Sequence, residues 1–151
     1  MRAHLFHAVI PVIAGGLIYI LWRHSSLWVF SWLGFFDLDN IVFRLRSEVY
    51  GLKGTFPDWF LYSLPDALWV YAATSCMSLI WLNDRTRMRF VWISSGIVLA
   101  IVSEFGQLFS VVPGAFSLAD LGFYASGFIV SLLAITAIRK EWEDEKTCDI
   151  G

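Results

Sequence analysis

The sequence predicts an all-α membrane protein, with four transmembrane helices and an interfacial amphipathic helix between the first and second spans. Of its 151 residues, 58% are hydrophobic and only 16% are charged, whereas soluble domains carry about 25% charged residues. The mean hydropathy is +0.64. Apolar runs long enough to cross a bilayer recur along the chain, and we place them at residues 4–22, 64–82, 90–112 and 118–138. The chain has room for a single transmembrane domain, residues 1–151, and for no soluble catalytic domain beside it.

The first span is expected to remain as an uncleaved anchor, because Leu21-Trp22-Arg23-His24 offers no small-residue cleavage pattern. Residues 27–36 are apolar but too short to cross, which favours a position at the membrane interface. An amphipathic helix is predicted next, with Asp37 and Asp39 as capping residues and Gly51 as its stop. Its apolar face consists of Ile41, Val42, Leu45 and Val49.

The second span is predicted to begin at the capping box Ser63-Leu64-Pro65-Asp66. In such a box, side chains satisfy the free N–H groups of the first helical turn. Ser117 and Asp120 repeat the same spacing at the start of the fourth span. Capping alone is therefore the simpler explanation of Asp66 and Asp120, and a binding role is the alternative.

Glu104 and Gln107 lie inside the third apolar run, where an ionisable group costs several kcal/mol unless it is paired or hydrated. Glu104 follows Arg89 by fifteen residues, or roughly 22 Å of helix, which places it near the far membrane surface. Asp120 lies at the same level, after a tight Pro113-Gly114 corner, so the two carboxylates are expected to approach one another. Asp66, at the start of the second span, is also expected near this outer surface. A stripe of small and polar residues on each helix should face protein rather than lipid. The stripes are Gly96, Ala100, Ser103, Gln107 and Ser110, and Ser117, Asp120, Tyr124, Gly127 and Ser131.

Two explanations of Glu104 stay open, because a residue in mid-helix needs no capping role. It is either a neutral, hydrogen-bonded side chain that stabilises helix contacts, or a functional group. Acids that stay ionised need a cation, and Arg23 ends the first span on their side of the membrane. We therefore predict that Arg23 pairs with Glu104 or Asp66.

The distribution of basic residues predicts that both termini lie in the cytoplasm. Seven basic residues share the side of the termini, namely Arg2, Arg85, Arg87, Arg89, Arg139, Lys140 and Lys146. Four lie across the membrane, namely Arg23, Arg44, Arg46 and Lys53. The charged tail after Ile138 is expected to be frayed or disordered.

Several classes of function find no support in the sequence. No basic patch with interleaved aromatic residues suggests nucleic-acid binding, and Cys76 and Cys148 lack the spacing of a disulfide framework or a zinc site. His4 and His7 are too few to complete a metal site. We therefore predict no cofactor and no metal. The common catalytic motifs are absent from the sequence, which disfavours an enzyme.

Glu104-Phe105-Gly106-Gln107, a Pro-Gly turn, and Ser117-Leu118-Ala119-Asp120 followed by Tyr124 and Gly127 resemble the VanZ-like family of small bacterial integral membrane proteins. The segment from Ser63 to Trp69 is similar to the second-span opening of related proteins. Two features differ: Tyr124 or its neighbour stands at the family's common Asn, and the outer turn lacks a basic residue. The resemblance implies a cell-envelope protein of the bacterial inner membrane. The family's founding member is linked to resistance to the glycopeptide teicoplanin.

Three functions remain open for the outer end of the bundle. The leading one is a non-catalytic envelope protein whose acidic, aromatic-roofed pocket binds a lipid or lipid-linked precursor, or docks a partner. The second is a proton or cation pathway through Asp66, Glu104 and Asp120, and the third is an intramembrane lipid-modifying enzyme that uses Glu104. The expected partners are membrane lipids, and a membrane protein or a second copy of the chain. The candidate binding residues are Glu104, Gln107, Asp120, Asp66, Tyr124, Trp69 and Arg23.

Overall fold

All regular secondary structure in the described residues is helical. The computed structural model describes residues 5–23 and 34–148, and the side chains of residues 6–23 and 34–140. A π-helical turn, Leu5–Val9, leads into the first helix, and a 3-10 helix, Tyr50–Thr55, follows the second. The α-helices are α1 (Ile10–Trp22), α2 (Asp39–Val49), α3 (Asp58–Tyr62), α4 (Leu64–Ile80), α5 (Met88–Leu108) and α6 (Leu118–Cys148).

Helix α4 is the centre of the bundle, because it packs against α1, α5 and α6. Small residues allow these close approaches. Gly127 of α6 lies directly against the backbone carbonyl of Ala67, where any side chain would collide, and Gly96 of α5 faces α4 at close range. Further along the α4–α6 interface, the Ser75 and Ser131 hydroxyls are hydrogen-bonded at 2.8 Å. The predicted small-residue stripes therefore face protein at these positions.

Within the described residues, two helices are long and apolar enough to cross a membrane, namely Met88–Leu108 and the Leu118–Lys140 part of α6. Only 6% and 22% of their most apolar segments are buried inside the protein. The core helix of a soluble protein buries most of such a segment, whereas a transmembrane helix exposes it to lipid. The exposed apolar surfaces of α5 and α6 therefore favour a membrane environment. Phe6–Trp22 is apolar as well, but shorter.

Two helices end before the predicted ends of their spans. Helix α4 ends at Ile80 rather than at residue 82, and α5 ends at Leu108 rather than at residue 112. After α5 the chain tightens into a turn, in which the Gly106 carbonyl accepts the N–H groups of Val111 and Val112 at 2.8 and 3.1 Å. The apolar run thus continues into the turn, which is why hydropathy places the end of the third span too late.

The prediction of a frayed tail after Ile138 is wrong as far as Cys148, because α6 continues to that residue. Extending an existing helix costs much less than nucleating a new one. The tail is also rich in Glu, Lys and Arg, which are good helix formers. High charge alone is therefore a poor signal for the end of a helix. Residues 149–151 lie outside the described part of the chain.

The predicted amphipathic helix after Asp37 is confirmed as a helix, α2. Its Arg46 guanidinium donates to the backbone carbonyls of Ile20 and Arg23, at 2.6 and 2.7 Å. The last carbonyls of a helix lack partners within it, and a cation there also suits the helix dipole. These bonds fix α2 beside the end of α1. Residues 27–33 of the predicted interfacial segment, and His4, lie outside the described residues.

Candidate functional site

A long groove runs along α4, with α1 and α5 as its walls. Both helices pack on α4, and within the described chain they have no substantial contact with each other. The groove is part of a cavity of about 1630 Å³. Gly96 and Gln107 both line it. Gln107 follows Gly96 by eleven residues, which is roughly 16 Å of helix and about half the hydrocarbon thickness of a bilayer. Its apolar stretch is lined by Val9, Val12, Ile13, Val70, Leu99 and Ala100.

The other end of the groove is polar. All seven predicted binding residues lie in its wall, namely Arg23, Asp66, Trp69, Glu104, Gln107, Asp120 and Tyr124. Glu104 and Asp120 are both close enough to Asp66 for electrostatic interaction. Gln107 packs against Gly114, whose φ of 148° strongly favours glycine. The structure thus brings together residues from α1, α4, α5 and α6, including the three acids that the sequence places at one level.

Glu104 is almost completely buried, with 1% of its surface exposed. Its Oε1 accepts the Ser117 N–H at 2.6 Å, and its Oε2 accepts the Tyr124 hydroxyl at 3.2 Å. Ser117 directly precedes α6, so Glu104 of α5 caps the next helix from outside. Of the two explanations that the sequence leaves open, these hydrogen bonds favour a side chain that stabilises helix contacts. Because both oxygens accept bonds from the protein itself, Glu104 holds α5 to α6 and is poorly placed to act as a base on a substrate.

Asp66 pairs with Arg23, which confirms the predicted partner. Arg23 Nη2 lies 3.4 Å from Asp66 Oδ2. The predicted cap at Ser63 is wrong, because its side chain makes no capping hydrogen bond within the described chain. Ser63 keeps near-helical dihedral angles (φ −96°, ψ −34°), and its carbonyl accepts the Ala67 N–H at 3.1 Å. The chain passes from α3 into α4 without the extended residue that an N-cap needs.

Asp120 carries a carboxylate with no partner in the described chain. A capping box would direct it to the Ser117 N–H, but Glu104 occupies that donor. Ser117 Oγ accepts the Asp120 N–H at 3.4 Å, which is long for a hydrogen bond. The carboxylate itself has neither a hydrogen bond nor an ion pair with the described residues. Its side chain is partly exposed in the groove wall, where a ligand can meet it.

Two tyrosines that the sequence did not single out hold Arg23 in place. The guanidinium carbon lies 5.2 Å from the centre of the Tyr19 ring and 5.4 Å from that of Tyr62, within the range of cation–π attraction. Trp69 stacks on Tyr19, with 5.9 Å between the ring centres. Tyr19 precedes Arg23 by four residues, the spacing of neighbours on one helix face, so this contact has a sequence signal. Tyr62 lies on α3, and no spacing in the sequence predicts its contact with Arg23.

A second polar chain lies in the other half of the bundle. His7 Nδ1 and the Tyr71 hydroxyl are 2.6 Å apart. Ser75 lies one helical turn after Tyr71 on the same helix, and its hydroxyl is hydrogen-bonded to that of Ser131. The Thr74 hydroxyl is fully buried beside them and has no partner in the part of the chain that the structure describes. Hydrogen-bonding groups therefore continue away from the acids towards the N-terminus of α1.

The groove combines an apolar stretch with a polar end of mixed charge, and an amphiphilic molecule has the same two parts. In the described chain, no group of three or more His, Cys, Asp or Glu side chains is arranged to hold a metal ion.

No protein-family model, curated protein or solved structure matches the chain.

Proposed function

We propose that this is a small, non-catalytic membrane protein that binds a lipid or a lipid-linked envelope precursor in the groove between α1 and α5. The change of character along the groove supports this most strongly. Among the described residues, its wall is apolar or small around Val9 and Gly96, and it is charged and aromatic around Arg23 and Asp120. The groove as a whole, roughly 16 Å from Gly96 to Gln107, has about the depth of one membrane leaflet, so its apolar stretch suits the part of an acyl chain next to a headgroup. The polar end suits a headgroup.

We further propose that α1 and α4 cross the membrane together with α5 and α6. Helix α4 has 17 residues, or roughly 25 Å, which is close to a hydrocarbon thickness of about 30 Å. A central helix that packs against two spanning helices along its length crosses with them. The seven basic residues on the side of the termini favour cytoplasmic termini. Membership of the VanZ-like family, and with it the bacterial inner membrane, is part of the same proposal and is supported by Glu104, Gln107 and Asp120 in one wall.

A substitution that blocks the groove tests lipid binding. Ala100 lines the groove, and the indole ring of a tryptophan there fills space that an acyl chain needs. Displacing as few as about two lipid methylenes, each worth about 0.8 kcal/mol when buried, costs about 1.6 kcal/mol. We therefore expect Ala100→Trp to lower lipid retention about tenfold. Native mass spectrometry of the protein purified in a mild detergent measures the ratio of lipid-bound to free protein.

Val102→Trp is the matched control. Val102 lies on the same helix, is 61% exposed and is outside the groove wall. The Val102→Trp variant therefore places a tryptophan on the outer surface of α5, and it should leave lipid retention unchanged. Equal loss in both variants, or loss in neither, would contradict binding in the groove. A copurifying protein, or a second copy of the chain, that is lost only with Ala100→Trp would show a docking site instead.

A proton or cation pathway through the three acids is the second candidate function. The polar chain that begins at His7 and Tyr71 favours it, because it extends hydrogen-bonding groups into the half of the bundle opposite the acids. Proton flux into liposomes containing the purified protein should then be lost with Asp66→Asn. Flux no greater than in protein-free liposomes would exclude this candidate.

A further inference from the structure

We propose, on the basis of the lipid-binding function above, that the polar end of the groove selects a phospholipid whose headgroup carries a primary amine. The phosphate lies on Arg23, and the amine lies beside Asp120. Three features of the polar end lead to this headgroup: a guanidinium with unused donors, an excess of carboxylates, and an acid without a partner.

Arg23 is an incompletely used donor. A guanidinium has five N–H groups, and the contact with Asp66 uses one of them at the long distance of 3.4 Å. Its Nε is buried and has no hydrogen-bond partner among the described residues, whereas 27% of the side chain as a whole is exposed. The rings of Tyr19 and Tyr62 hold the group in position. A fixed guanidinium with spare donors matches the oxygens of a phosphate.

The polar end also holds more acid than base. Among the described residues, four carboxylates and three cations line the cavity, namely Asp58, Asp66, Glu104 and Asp120 with Arg23, Arg46 and Lys53. Arg46 donates to the carbonyls at the end of α1. A headgroup with a phosphate alone adds a further negative charge to this end. A headgroup that also carries a cation cancels that charge, which favours a zwitterion.

Asp120 is the acceptor for the amine. Its carboxylate has no hydrogen bond or ion pair with the described residues, and Asp66 lies within electrostatic reach. A primary ammonium offers three N–H donors and a compact charge. A quaternary ammonium has no N–H, so it cannot donate a hydrogen bond to the Asp120 carboxylate. It is held on aromatic faces instead, and although Trp69 and Tyr124 line this end, such a contact leaves the Asp120 carboxylate without a donor. The site therefore suits a primary amine better than a choline group.

Competition among three lipids with identical acyl chains tests this headgroup. Phosphatidylethanolamine, phosphatidylcholine and phosphatidylglycerol are titrated separately into the full-length protein in detergent, and binding is measured by native mass spectrometry. We expect phosphatidylethanolamine to bind about tenfold more tightly than either of the others, which is the effect of one charge-assisted hydrogen bond. This comparison uses the wild-type protein, so it does not depend on the folding of a variant.

Variants of Asp120 then locate the amine. Asp120→Asn should remove the preference for phosphatidylethanolamine over phosphatidylglycerol, and Asp120→Glu, which keeps the charge, should retain it. Asp39→Asn is the control, since Asp39 is an exposed acid on α2 outside the groove wall, and it should retain the preference. A preference that survives Asp120→Asn would overturn the assignment of the amine to Asp120.

The proposal of lipid binding in the groove and the proposal of a headgroup preference can be overturned separately. Equal binding of the three lipids to the wild type, with loss of all three in Ala100→Trp, would overturn the headgroup preference and leave lipid binding in the groove standing. Full retention of every lipid by Ala100→Trp would overturn the lipid-binding groove itself, and the headgroup site with it.

Discussion

Replacement of Glu104 with alanine is expected to lower the free energy of unfolding by about 3–5 kcal/mol. The substitution removes the acceptor of two hydrogen bonds and leaves the Ser117 N–H and the Tyr124 hydroxyl without it. Each unsatisfied buried group costs about 1–3 kcal/mol, and the space left by the side chain adds a cavity term. Denaturant unfolding in detergent micelles, followed by circular dichroism, measures the change.

Two further variants make this result specific. Glu104→Gln keeps one hydrogen-bond acceptor, so its free energy of unfolding should fall by less than that of Glu104→Ala, by about 1–2 kcal/mol. Glu48→Ala removes an exposed glutamate on α2 and should change stability by no more than about 0.5 kcal/mol. If Glu104→Ala were as stable as Glu48→Ala, the hydrogen bonds that Glu104 accepts from Ser117 and Tyr124 would have no structural importance.

The second large effect is expected from Gly127→Ala, which should destabilise the protein by about 1–3 kcal/mol. A Cβ at this position collides with the backbone carbonyl oxygen of Ala67. A carbonyl within a helix cannot rotate away as a flexible side chain can, so α4 and α6 must separate. Their separation also strains the hydrogen bond between Ser75 and Ser131. The same unfolding measurement applies.

Gly122→Ala is the matched control on the same helix. A Cβ there meets no atom within 4 Å among the described residues. Because alanine is the better helix former, this variant should be neutral or more stable by up to about 1 kcal/mol. Equal effects of the two substitutions would show that α4 and α6 do not approach closely at Gly127.

The helices and the meeting of the three acids could be predicted because depth in a helix follows from residue count. Counting from Arg89 places Glu104 at the level of Asp120, and Arg23 ends α1 on the same side. The structure places these side chains in the wall of one cavity. Helical periodicity likewise identified Gly127 and the face of α6 that packs on α4.

The central position of α4 and the hydrogen-bond partners of Glu104 could not be predicted from residue count or helical periodicity. Hydropathy identifies apolar runs, but it does not tell which helix the others surround. The available signal in α4 was its small residues on several faces, namely Ala67, Ala72, Ala73, Thr74, Ser75 and Ser78. Glu104 meets a backbone N–H beyond the turn, and the path of that turn depends on positive φ angles at Ser110 and Gly114, which spacing rules do not encode.

A density map of the protein in nanodiscs prepared from mixed phospholipids tests lipid binding in the groove most directly. We expect elongated density along α4 between α1 and α5, starting near Gly96 and ending in a headgroup between Arg23 and Asp120. Direct packing of α1 against α5, with no space for an acyl chain, would contradict this. So would lipid density found only around the outer surface of the four helices.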